Sequence, residues 1–132
     1  MGACYATELT LRMKPENKGE ITQLLVNKIT TDVNAGKTIY GNYKQPSTLE
    51  DCLGLIFAQH QNDFVLTHSG DPIEEQYDVS SGFNATYSWE GLMVDFFDLI
   101  APLLIDGSEL WIYPDSDYDH LVIKDGKSIQ LH

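Results

Sequence analysis

Residues 89–104 limit the fold more than any other stretch. At 100° per residue, Leu92, Met93, Phe96, Phe97, Leu99, Ile100, Leu103 and Leu104 fill one half of the helical wheel, while Glu90, Asp95 and Asp98 fall on the other. A helix with so broad an apolar face must be buried against a second layer supplied by the same chain. Pro102 lacks a backbone donor and is expected to kink or tighten the last turn, which Asp106-Gly107 then ends.

The second layer is legible from the N-terminus. Between residues 3 and 13, Tyr5, Thr7, Leu9, Leu11 and Met13 alternate with Cys4, Ala6, Glu8, Thr10 and Arg12, the pattern of a strand with one buried face. Pro15 closes it, and Ile21, Leu24, Leu25, Ile29 and Val33 then recur at helical spacing over 17–34, with Gly36 as the stop. Residues 35–46 read as a loop. Ser47-Thr48-Leu49-Glu50 is a capping-box pattern ahead of a second, shorter helix carrying Leu49, Cys52, Leu53, Ile56 and Phe57.

Strands are expected at Phe64–His68, Tyr77–Tyr87 (with Gly82 as a bulge), Glu109–Tyr113, Leu121–Lys124 and Ser128–Leu131. Ser69-Gly70-Asp71-Pro72 and Asp125-Gly126 serve as turns, and Ser88 as the cap of the 89–104 helix. The order β-α-α-β-β-α-β-β-β predicts an α+β fold, a two-layer sandwich of a mainly antiparallel sheet and two helical blocks. Its βαββαβ core matches the ferredoxin-like split arrangement, with extra C-terminal strands. The 132 residues fit one domain, able to bury roughly two-thirds of its unfolded surface without a metal or disulfide staple.

Charge is distributed unevenly. The chain has 8 basic and 20 acidic residues, and no Lys or Arg stands between Lys44 and Lys124. Such a surface repels phosphates, so direct nucleic-acid binding is not expected, and it attracts basic proteins. No span is long and apolar enough for a membrane, and no secretory signal is visible, so a cytoplasmic location is expected. Cys4 and Cys52 have neither CxxC nor zinc spacing, and both are read as reduced core or near-core residues.

Catalytic chemistry finds little support. His60, His68, His120 and His132 make no metal-binding spacing. His68, Ser69 and Asp71 place triad residue types together, yet the same residues make a turn. Asp115, Asp117 and Asp119 invite a calcium reading, but His120 and Gly126 occupy the positions where an EF-hand loop needs Gly and Glu. Neither a cofactor nor a metal is expected.

Trp111 and Tyr113 share one face of a short strand, with Leu110 and Ile112 on the other. If Leu110 and Ile112 face the helices, the two rings lie on the open side of the sheet, where Trp and Tyr serve as binding anchors. Trp89 is read as a packing residue at its helix start. The profile is similar to that of small acidic α+β proteins that neutralise toxins or nucleases, a likeness of charge and size. The expected function is a non-enzymatic module that binds a basic protein, of an immunity or inhibitor type. Glu90, Asp95, Asp98, Trp111, Tyr113, Asp115, Asp117 and Asp119 form its candidate surface, with nucleic-acid mimicry as a variant. Glu8, in the near-neutral first third, is expected to contribute less. The alternative is a small-molecule or cation-binding protein, or a small enzyme, with a pocket between helix and sheet.

Overall fold

A computed structural model describes residues 2–36, 43–61, 63–113 and 118–131. It shows one six-stranded antiparallel sheet. Its strands are β1 (Gly2–Met13), β2 (Asp63–Gly70), β3 (Glu75–Thr86), β4 (Glu109–Tyr113), β5 (Asp119–Lys124) and β6 (Lys127–Leu131), in the order β2-β3-β1-β4-β5-β6. Helices α1 (Lys18–Asn34) and α2 (Leu49–Ile56) form the first crossover, and α3 (Trp89–Ile100) the second. The first four strands therefore follow the split βαββαβ order, and β5 and β6 extend the sheet beyond β4.

The alternation of β1 decides which side the helices cover. Ala3, Tyr5, Thr7, Leu9, Leu11 and Met13 are buried, as are Leu110, Ile112, Leu121 and Ile123 in the neighbouring strands. Ile21, Leu25 and Ile29 of α1, Leu49, Cys52, Leu53 and Ile56 of α2, and Met93, Phe96, Phe97 and Ile100 of α3 close the core from above. Among the described residues, no helix lies over the opposite side. Its residues on β1, from Cys4 to Arg12, are exposed or half-buried.

Several local expectations shift. The capping box sits one residue later than its pattern suggested. Thr48 Oγ1 accepts from the Asp51 N–H at 3.0 Å, and Asp51 Oδ2 accepts from the Thr48 N–H at 3.3 Å. Ser88 does not cap α3, because its backbone is already helical (φ −73°, ψ −10°); its hydroxyl lies 2.9 Å from that of Thr86 instead. Pro102 converts the end of the predicted 89–104 helix into a 3-10 turn, Ala101–Leu103, and Leu99, on α3 ahead of that turn, is 36% exposed. Gly82 makes no bulge, pairing in register with Ala6 and Asp63. The β2–β3 hairpin runs two residues further than predicted, to Gly70 paired with Glu75. Asp125 and Gly126, with φ of 52° and 73°, make the two-residue turn expected between β5 and β6. Among the described residues no helix is long and apolar enough to cross a membrane.

Candidate functional site

The register lays the uncovered face out in rows. One row runs Val65, Ser80, Glu8, Trp111, His120 and Leu131 across all six strands. The next runs Asp63, Gly82, Ala6 and Tyr113. The β4–β6 half of the face is aromatic and apolar, with Tyr113, Tyr118, Ile129 and Leu131 all exposed. The β1–β3 half is low, floored by Ala6, Ser80 and Gly82.

Ring geometry orients the aromatic cluster. Trp111 and His120 stack at 3.5 Å with planes 11° apart, so the normal of the indole points across the strands. Tyr113 is parallel to Trp111 within 3° at 5.7 Å, and it follows Trp111 along β4. The two rings therefore stand side by side as a wall on β4. His120 covers Trp111 from the β5 side, and Tyr118 lies 5.8 Å from Trp111 and 6.3 Å from Tyr113. The other side of the wall looks over Glu8 and Ala6.

The register puts charges of both signs on this face, Glu8, Asp63, Asp78 and Glu109 with Arg12, Lys124 and Lys127. His120 Nε2 lies 3.0 Å from Glu109 Oε2, a contact that fixes the imidazole against Trp111. Arg12, the basic residue of β1, is held by Glu74 through Nε at 2.7 Å and Nη2 at 3.0 Å, while its Nη1 donates to the Asp106 carbonyl. The hydrogen bond with Arg12 holds the Glu74 carboxyl below its ordinary pKa. The Glu8 and Asp63 carboxylates make no hydrogen bond or ion pair with the described residues. Lys124 and Lys127 are cross-strand neighbours at the far end of β5 and β6.

The expected binding residues do not share one surface. Trp111 and Tyr113 are on the open face, because Leu110 and Ile112 are fully buried beneath the helices. Asp119 pairs with Ile112 and so lies on the helix-side face, where its carboxylate accepts from Gln130 Nε2 at 2.6 Å. Glu90, Asp95 and Asp98 belong to α3, in the layer on the far side of the sheet. Asp115 and Asp117 fall outside the described residues. Conversely, folding brings Glu8 directly beside Trp111, so its place in the near-neutral first third is no reason for it to contribute less. Sequence reasoning also missed Ala6, Asp63, Gly82, Tyr118 and His120. The alternation of β1 already put Ala6 and Glu8 on one face, but their neighbours depend on strand order and register.

Other candidate chemistry is tied up in structure. Asp71 Oδ1 accepts from the Ile73 and Glu74 N–H groups and pins the turn, while His68 stacks on Tyr77 and meets Glu75 at 2.9 Å. These residues do not converge as a triad. Cys4 is exposed, contrary to expectation, because it belongs to the uncovered face of β1, and its thiol donates to Asn84 Oδ1 at 2.8 Å. Cys52 is buried, and burial pushes its thiol up to about 12. Trp89 is half-buried at its helix start, and its indole donates to the Ile56 carbonyl at 2.9 Å. Between helices and sheet lies a cavity of about 20 Å³, lined by apolar side chains including Leu9, Met93 and Leu110. That is the space of about one water. A larger open groove of about 730 Å³ lies at the end of the layers, beside Asp95 and the buried Asp32, which Lys28 holds at 3.2 Å. Among the described residues no group of three or more His, Cys, Asp or Glu is placed to hold a metal ion.

No family model, no curated protein and no solved structure matches this chain.

Proposed function

We propose that this chain is a non-catalytic binding module that takes a basic protein partner on the open face of its sheet. The observation that carries this reading is the aromatic wall of Trp111 and Tyr113, standing on a sheet face that no helix covers among the described residues. Aromatic rings of this kind anchor protein interfaces, because they bury much apolar area at little conformational cost. Glu8 and Asp63, unpaired among the described residues, give the surface its preference for positive charge. The acidity of the chain as a whole speeds encounter with a basic partner and disfavours phosphate-rich ones. An inhibitor or immunity role is the form this binding would take, with the partner's own basic site covered by the sheet.

The test is capture from a lysate of the source cell on the immobilised chain and on its Trp111→Ala variant, followed by association kinetics across a salt series. A basic partner is expected, with an association rate that falls steeply with salt and affinity at least about tenfold weaker for the variant. An acidic partner, equal affinity for both chains, or tight binding of a short RNA oligomer on this face would overturn the reading.

A further inference from the structure

The low half of the open face is shaped to take one kind of side chain. In the row Asp63, Gly82, Ala6 and Tyr113, a carboxylate stands at one end, an aromatic ring at the other, and the two smallest residues lie between. The carboxylate reaches inward. Asp63 Oδ2 would be 3.4 Å from a Cβ built on Gly82, so it lies over the β3 position and not out beyond the edge strand. The ring of Tyr113, parallel to Trp111 within 3°, turns its face across the strands toward the same floor. From the β3 position to β4 is two strand spacings, about 10 Å. Glu8 stands one step along β1 from Ala6 and supplies a second carboxylate at the side of the slot.

The geometry points to a receptor for a single arginine side chain of the partner. This deepens the reading of the open face given above and rests on it. A guanidinium is flat: stacked face to face with Tyr113, it turns its edge to the Glu8 carboxylate at the side of the slot, while the Asp63 carboxylate faces its other side as a countercharge. The lengths agree. A cation sits within about 6 Å of a ring centroid, which leaves about 4 Å of the about 10 Å gap between the guanidinium and the Asp63 carboxylate. A lysine ammonium can meet the carboxylate or the ring, but it has no planar group to stack while donating sideways. The floor is low enough for the guanidinium to enter, because Ala6 has only a methyl group, and Gly82, without a side chain, makes the room over which the Asp63 carboxylate lies. The basic residue of β1, Arg12, does not compete for the slot, since Glu74 and the Asp106 carbonyl hold it at the other end of the strand.

The slot carries its own reporter. Cys4 is exposed and next after Ala6 on the same face of β1, about 7 Å away. The only other thiol, Cys52, is buried and silent. The experiment measures Cys4 alkylation by iodoacetamide, and the Trp111 indole N–H shift by NMR, against three short glycine-rich peptides that differ in one residue: arginine, lysine or citrulline. The arginine peptide is expected to slow alkylation and shift the indole, with lysine and citrulline weaker by about threefold or more. Glu8→Gln and Tyr113→Ala should each abolish the preference for arginine. Both residues are exposed, so the fold and the thermal midpoint should persist, and each variant is checked for this. Equal binding of the arginine and lysine peptides, or an arginine preference that survives both substitutions, would overturn the slot while leaving the face a general site for basic proteins. No effect of any peptide on Cys4 or Trp111 would also overturn the slot. The salt and Trp111→Ala measurements on the whole partner then judge the wider reading separately.

Discussion

Phe96 is 3% exposed and sits among Leu9, Leu25, Leu53 and Leu110, where the helix layer meets the central strands. Removing its ring leaves a cavity that close-packed neighbours fill only in part, so Phe96→Ala should cost about 3–5 kcal/mol. A urea midpoint equal to that of the parent would contradict the placement of α3. The two cysteines make the opposite contrast. Cys4 is exposed, whereas Cys52 is buried with its thiol pushed up to about 12. Mass spectrometry after brief alkylation of the folded protein at mild alkaline pH should find one modified thiol, at Cys4, and two once the chain is unfolded in urea. Modification of Cys52 in the folded protein would show that α2 does not hold it as described. Both cysteines belonged to apolar or alternating patterns, and the sequence treated them alike. Only the choice of which β1 face the helices cover separates them.

At the scale of elements, the ends were harder to read than the interiors. The periodicity of β1, α1 and α3 is long enough to mark each element, because many side chains vote for one face. A boundary depends on a few hydrogen bonds. Thr48 and Asp51 win the cap of α2 over Ser47 and Glu50 because Thr48 has the extended backbone that a cap requires, with φ −121° and ψ 165°. The Asp51 carboxyl is held below its ordinary pKa, first by the hydrogen bond from the Ser47 N–H and then by that from the Thr48 N–H, against the opposing effect of burial. A carboxyl whose folded pKa is depressed contributes stability that is present above its unfolded pKa and lost as pH falls through the folded one. The urea midpoint of the parent should therefore fall below about pH 4, and that of Asp51→Asn should start lower but fall less steeply over the same window. Parallel profiles would show that Asp51 does not carry this linkage. Thr48→Ala should lose about 1 kcal/mol at neutral pH, read from the same urea curves.

For the whole molecule, the two-layer α+β class followed from composition and period, since an amphipathic helix and an alternating strand must cover each other. The candidate surface did not follow. Counting charge along the chain joined α3 to the residues after β4, yet α3 lies on one side of the sheet and Trp111 and Tyr113 on the other. Register alone brings Glu8, 103 positions before Trp111 in the sequence, to its side. A flat partner reaches one of these faces at a time. The most direct test of the open-face account is therefore to compare two charge reversals on exposed residues, Glu8→Lys beside the aromatic wall and Asp98→Lys on α3, in their association rate with the captured partner at low salt. The account predicts a fall of about tenfold or more for Glu8→Lys and less than about twofold for Asp98→Lys. The reverse order would place the interface on the helix layer and contradict it.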